Sequence, residues 1–579
     1  MRSTARGEGR RLAARHRNIE LGLLVLAVAA CLAGHIDASL ALTGSMPKGL
    51  LLQVLPLGAL VAVAHLAVRR FAPYADPLIL PIGVFLTGFG LMLLNRLDFS
   101  YKAAHAVKGD YQKLPTAPSQ FMWVFISVAA ALALIVFVKH HRFFQRYVYL
   151  LMAGALILLT APVFSPTDSF GAKRWIKLPG LPSFEPDEFV KVAITIFFAG
   201  YLMANRDALA LAGRKVWGMT LPRGRHAGPV LAIWAVSLLV LIFERDLGTS
   251  LIFFGLFIVM LYVATERTSW VVLGVIMAVG GATVVGTLEP HVHGRVEAWL
   301  HPMDYYKAVH DPAISEQPAE ALFSLGTGHM TGTGLGSGRP WLIGFAGRSD
   351  FIFTTIGEEL GLAGVTAVLL VYVLLIQRGL RTAVGLTDPF GKLLATGLSA
   401  ALALQIFVVV GGVSGLVPLT GKALPFLAAG GSSLLANWLM VALLIKLSDS
   451  SGRTAMEPAP PSPEPVLAQA GPADRSAAPA PAAQGPDAGT GADAGTAPDT
   501  DPAAPSPTPG GLSDPGAPTE LRPAFGRTPA APQSGAPQSG GPQPGGPQPS
   551  YGYPPVADQP THGYGRPPQS PFPPDPAGT

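Results

Sequence analysis

Cysteine is nearly absent. The 579 residues contain one, Cys31, so neither a disulfide framework nor a cysteine-built metal cluster is available. Charge is scarce as well: Asp, Glu, Lys and Arg together make 13% of the chain, against about a quarter in a soluble domain. The glycine-rich run GTGHMTGTGLGSG has no strand pattern before it and no Gly-Lys-Ser/Thr after it, which excludes a phosphate-binding nucleotide loop. Its glycines are left to serve flexibility or close backbone packing. The spacings of His301, His310 and His329 fit none of the helical metal motifs.

Apolar residues are plentiful, at 49% with a mean hydropathy of +0.40. They fall into blocks of roughly 18–22 residues, the length that crosses a bilayer as a helix. The blocks lie near 19–37, 49–68, 78–95, 121–138, 146–163, 187–203, 226–244, 246–264, 269–288, 353–376, 391–413 and 425–447. The pattern predicts an all-α polytopic membrane protein. The pI near 9.2 suggests no nucleic-acid partner, because the basic residues follow the loops between spans.

Residues 1–18 are polar and basic and are followed by no cleavage signal, which predicts an uncleaved anchor with a cytoplasmic N-terminus. That placement leaves roughly twenty Lys and Arg in short cytoplasmic stretches, against about thirteen in an outer set nearly twice as long. It sends 97–120, 164–186 and 289–352 outside. From about residue 448 to 579 the chain turns to Pro, Ala, Gly, Ser, Gln and Asp. Such a composition buries too little apolar surface to offset its ordering entropy, so the tail is expected to be disordered and, by parity, cytoplasmic.

Several polar groupings stand out. Lys173, Arg174 and Lys177 lie on the predicted outer side with Trp175 among them. They suit either an interfacial anchor or an anion site. Pro186 fits a first helical turn, after which Glu188 and Lys191 stand at i and i+3, as a structural ion pair or as groups facing a cavity. Asp246 before LGTS is placed to cap the next helix, with a direct site role as the lesser alternative. The long polar interval 297–361 carries Asp304, Asp311, Glu316, Glu320 and Asp350. A loop of that length between spans is uncommon unless it is functional. Any of these acids is a candidate base for a reaction at a hydroxyl, although Asp311 before Pro312 is also an ordinary turn initiator.

GAKRWI, FEPDEFVK, DLGTS, SDFIFTTIGEELGLAG and GLVPLTGKALPFLAAGGSSL, in that order, closely resemble the motifs of the RodA/FtsW/SpoVE (SEDS) family, over roughly 78–447. The resemblance implies a ten-helix core at 78–447, with 19–77 as two extra N-terminal transmembrane helices and 289–352 as the large extracytoplasmic loop. It implies a peptidoglycan glycosyltransferase that polymerises lipid II at the outer face of the plasma membrane, beside a class B penicillin-binding protein. Asp311 then corresponds to the family's essential aspartate. Substrate contacts are implied at Lys173, Arg174, Trp175, Glu188, Lys191, Asp246, Glu358, Ser432 and Ser433. The cofactor question reduces to whether those cations or a bound divalent ion, Mg²⁺ or Mn²⁺, stabilises the departing diphosphate.

The chain also departs from the family pattern. Glu185-Pro186-Asp187-Glu188 stands where Gln-Pro-Ser-Glu is usual, Arg245 precedes Asp246 in place of proline, AISEQPAEAL replaces the usual stretch after Asp-Pro, and Ala428-Ala429 precede the GGSS motif. The alternatives are a lipid II flippase, which needs cavity-facing ions but no acid in an outer loop, and a non-catalytic scaffold for the transpeptidase.

Overall fold

A computed structural model describes residues 2–108, 116–164, 175–176, 184–210, 212–216, 219–222, 233, 235–236, 246–304 and 317–456. The tail from 457, the apolar block at 226–244 apart from three residues, and Lys173, Arg174 and Asp311 lie outside that set.

The described chain is helical apart from a two-stranded antiparallel hairpin, β1 (Ala212–Val216) and β2 (Met219–Pro222). Its helices are α1 (Arg2–Thr43), α2 (Leu50–Phe71), α3 (Ile79–Lys108), α4 (Thr116–Phe137), a single turn α5 (Arg142–Gln145), α6 (Val148–Thr160) and α7 (Asp187–Ala210). They continue as α8 (Leu247–Thr265), α9 (Thr268–Leu288), α10 (Pro290–Leu300), α11 (Gln317–Thr327), α12 (Ile352–Gly385), α13 (Pro389–Val413) and α14 (Gly431–Met456). Among the described residues nine helices are long and apolar enough to cross a membrane. The chain is a multi-pass membrane protein. The block predicted at 146–163 is shorter, ending at Thr160 before a 3-10 turn over Ala161–Phe164. Pro162 explains the stop, since it has no N–H and its ring clashes with the carbonyl four residues back.

Burial divides the helices into a centre and a rim. The apolar stretches of α13 and α14 are 78% and 83% buried, those of α1 and α2 only 17% each. Small residues let the central helices approach closely, as is usual where lipid supplies no hydrophobic drive. A Cβ on Gly397 of α13 would lie 2.7 Å from both Thr195 of α7 and Met260 of α8.

α12 breaks at Gly361, which has φ 64° and ψ −166°. The first segment, 352–359, is wholly buried, while the second carries the exposed Leu362, Leu370 and Val373. The break frees backbone groups that must be paired in a dry setting, and the glycine-rich loop pairs them. Leu362 N and Ala363 N donate to the carbonyls of His329 (2.9 Å) and Met330 (3.0 Å). Thr333 N and Gly334 N donate to the carbonyls of Glu358 (2.9 Å) and Glu359 (3.0 Å). Contact this close admits no side chain: a Cβ on Gly328 would sit 1.8 Å from the Gly357 oxygen. The glycines thus serve close backbone packing.

One end of the bundle is tied by Arg17, Glu20 and His65, by Asp449 with Tyr74 N (2.9 Å), and by His141 with Asp388 (2.9 Å). The glycine loop and the groups described next occupy the other end.

Candidate active site

The acid-rich start of α7 sits against the N-terminus of α8. Asp246 caps α8 as its sequence predicts, its Oδ1 accepting from Thr249 N at 3.0 Å. The Thr249 hydroxyl reaches both Asp246 Oδ2 (2.9 Å) and Asp187 Oδ2 (3.0 Å). Into this cluster comes Lys422, from the segment between α13 and α14. Its ammonium lies 2.8 Å from Asp246 Oδ2 and 3.3 Å from Glu185 Oε1, and it contacts Asp187 Oδ2. Buried carboxylates demand such compensation. Among the described residues the second oxygen of Asp187 is buried without a hydrogen-bond partner.

One turn into α7, Lys191 Nζ donates to Glu188 Oε2 at 2.7 Å and to Gln405 Oε1 of α13. Gln405 Nε2 completes the ring by donating to Glu188 Oε1 (3.1 Å) and to the Ala423 carbonyl (3.0 Å). The predicted i, i+3 pair is therefore also a tie between two helices. Ser433 hydrogen-bonds the Glu188 carboxylate, and the Ser432 hydroxyl accepts from Glu185 N at 3.0 Å. The structure thus gathers Glu188, Lys191, Asp246, Ser432 and Ser433 at one locus.

Beside this cluster opens a cavity of about 400 Å³, lined among others by Trp175, Glu185, Arg295, Trp299, Asp350 and Ser432. Trp175 is held there because Ile176 and Phe184 pair as an isolated antiparallel bridge, with N–O distances of 2.8 and 3.0 Å. Arg295 and Trp299 stand at i and i+4 on α10. Arg295 donates to the Thr420 carbonyl at 3.3 Å and Trp299 Nε1 to the Gly415 carbonyl at 2.8 Å. Pro302 and Gln317, which flank the stretch bearing Asp311, both line the cavity. A concave site combining apolar rings with a few convergent polar groups suits an amphipathic ligand.

Glu358 is placed elsewhere. Its carboxylate accepts from Arg339 N (2.6 Å) and the Ser324 hydroxyl (3.0 Å), while Glu359 pairs with Arg96 and accepts from the N–H groups of Gly336 (3.1 Å) and Gly338 (3.2 Å). Both hold the glycine loop.

Among the described residues no group of His, Cys, Asp and Glu is arranged to hold a metal ion. The carboxylates of Glu185, Asp187 and Asp246 are gathered on the Lys422 ammonium, so these residues do not fit Mg²⁺ or Mn²⁺.

Lys422, Gln405, Arg295 and Trp299 were not singled out by the sequence. An ionisable residue in an otherwise apolar run is a signal that would have found Lys422. The i, i+4 pairing of Arg295 and Trp299 needs the helix and its neighbours to gain meaning.

Comparison with known proteins agrees with the motif resemblance. RodA of Mycobacterium tuberculosis, a peptidoglycan glycosyltransferase, is 42% identical over 441 residues, covering 76% of this chain and 91% of its own. The RodA of Mycobacterium leprae, with the same description, is 43% identical over 393 residues, or 68% and 82% of the two chains. The solved rod shape determining protein RodA of Thermus thermophilus is 20% identical, with a TM-score of 0.36 over 69% of this chain and 96% of that one. The family model for FtsW, RodA and SpoVE cell cycle proteins matches residues 77–452, and the chain belongs to that family.

Proposed function

We propose that this chain is a peptidoglycan glycosyltransferase that polymerises lipid II at the outer face of the cytoplasmic membrane. One observation carries the proposal. The stretch holding Asp311 leaves the described structure after Asp304 and rejoins it at Gln317, and Pro302 and Gln317 both line the cavity with Trp175, Arg295 and Trp299. Its relatives' names supply the reaction class.

In the mechanism, the growing strand is still esterified to polyprenyl diphosphate and lies with that diphosphate near Lys173 and Arg174, which immediately precede the cavity-lining Trp175 in the sequence. The acceptor lipid II presents the 4-hydroxyl of its N-acetylglucosamine to Asp311. Asp311 takes the hydroxyl proton as the oxygen attacks the anomeric carbon of the donor's N-acetylmuramic acid. The bond from that carbon to the phosphate oxygen breaks, and polyprenyl diphosphate leaves with the electron pair, its charge held by the cations. Lys191 acts indirectly, by fixing Glu188 against Gln405. Asp246 and Lys422 set the floor, since Gly421 and Ala423 on either side of Lys422 line the cavity. Glu358 contributes by holding the loop, and Ser432 and Ser433 by fixing the start of α7. Both termini are assigned to the cytoplasm on loop charge.

Glycan strands gain strength only when cross-linked, so a class B penicillin-binding protein is the partner assigned. The test is polymerisation of labelled lipid II by the purified chain, with and without that partner. Wild type is expected to form glycan, Asp311→Ala none, and Asp350→Asn an intermediate amount. Polymerisation by Asp311→Ala at the wild-type rate would remove the base assignment.

A further inference from the structure

A second cavity, of about 350 Å³, lies away from the site, between the rim helices α1 and α2 and the core helices α3 and α4, with Trp438 of α14 at its back. Both α1 and α2 precede residue 77, where the family match begins. Most of the wall is aliphatic and aromatic, including Val28, Leu57, Val61, Val84 and Phe121. The few polar groups are distributed unevenly. The Thr87 hydroxyl is already engaged by Trp438 Nε1 at 3.2 Å. His35 and Asn95 meet at 3.4 Å, and Gln53 sits near the start of α2 with its side chain exposed. These three collect at the end of the cavity facing the glycine loop. There Gly34 approaches Leu335, and Arg96, next to Asn95, donates to the Gly338 carbonyl at 2.9 Å.

An apolar slot left empty forfeits dispersion contacts along its whole lining, and an apolar cavity does not fill with water. The slot lies in the membrane-embedded part of the bundle, behind α2, whose outward residues Leu51, Leu55 and Val63 are exposed to the bilayer. An apolar interior with a polar collar at one end matches an amphiphile with one hydrocarbon chain inserted and its polar part at the collar. The amphiphile in direct contact with α2 is membrane phospholipid. We infer that this cavity is a phospholipid site, created by the two added helices, which takes one acyl chain alongside Val28, Leu57 and Val61 and holds the glycerol-ester region at His35, Asn95 and Gln53.

The experiment uses the full chain in nanodiscs of phosphatidylglycerol and phosphatidylethanolamine, doped with a phospholipid carrying a diazirine on its acyl chain. After irradiation, labelled peptides are mapped by mass spectrometry. Labelling is expected to concentrate on 27–35 and 57–64 at several times the level found at the outward-facing Leu51, Leu55 and Leu66. Val61→Trp, which fills the slot, should cut the pocket labelling about tenfold, whereas Val63→Trp on the outer face should leave it unchanged. Wild type provides a check that needs no core variant. Alkylation of Cys31, which lines the slot, by an apolar maleimide should be slower in nanodiscs than after exchange into a short-chain detergent. Even labelling around α1 and α2, insensitive to Val61→Trp, would mean boundary lipid only and overturn the site. Preferential displacement of the probe by polyprenyl phosphate at equal mole fraction would overturn it too, by assigning the slot to an isoprenoid.

Discussion

The Lys422 ammonium lies 2.8 Å from Asp246 Oδ2 with both side chains almost fully buried, at 2% and 0% exposure. Residues far apart in sequence thus form the charge centre beside the cavity, and Glu185 and Asp187 share the same ammonium. Removing one member of a buried ionic group leaves the rest uncompensated, which typically costs about 3–5 kcal/mol. Lys422→Met is therefore expected to lower thermal stability in detergent by that order, and Lys422→Arg to recover part of the loss. The measurement is the unfolding midpoint of each purified variant. An unchanged midpoint for Lys422→Met would show that the cluster does not bind the helices together.

Gly326 and Gly328 lie two residues apart with opposite surroundings. A Cβ on Gly326 meets nothing within 4 Å, whereas one on Gly328 meets the Gly357 oxygen at 1.8 Å. Gly326→Ala, inside α11, should be neutral or stabilising by about 0.5–1 kcal/mol. Gly328→Ala should destabilise by roughly 2–3 kcal/mol and loosen the loop. Limited proteolysis near 328–338, compared between the two variants, reads the difference.

Trp299 and Arg295 face the cavity from one side of α10. Loss of an aromatic platform or of a charge-assisted contact each removes about 1–2 kcal/mol of binding. Trp299→Ala is accordingly expected to raise the apparent KM for lipid II about tenfold, with a smaller change in kcat. Equal kcat and KM for the variant and wild type would place the ligand elsewhere.

At the opposite end, burial works against ionisation of Asp388, but the hydrogen bonds from His141 and Gly391 N, with Arg142 nearby, hold its carboxyl below the usual carboxylate range. A carboxyl whose folded-state value is depressed contributes stability that is fully present above its unfolded value, about 3.9. That contribution is lost as the pH falls through the lower, folded value. The gap in unfolding midpoint between wild type and Asp388→Asn should therefore shrink as the pH falls from about 5 to below about 4. A gap that grows over that acidic interval would contradict this.

Local spacing determined much of this protein without a fold. The length of the apolar blocks set the nine membrane spans found among the described residues, the Asp before LGTS set a helix cap, and the i, i+3 spacing of Glu188 and Lys191 set an ion pair. Each depends on residues within one or two helical turns, where the backbone geometry is already known. Tertiary structure decided the rest. It chose Gln405 as the third member of the Glu188–Lys191 ring, placed Lys422 among Glu185, Asp187 and Asp246, turned Glu358 toward Ser324 and the Arg339 backbone, and opened a slot behind α2. An apolar surrounding requires that every buried charge find a partner. Which partner it finds depends on how helices far apart in the chain come together, and spacing along the sequence carries no record of that.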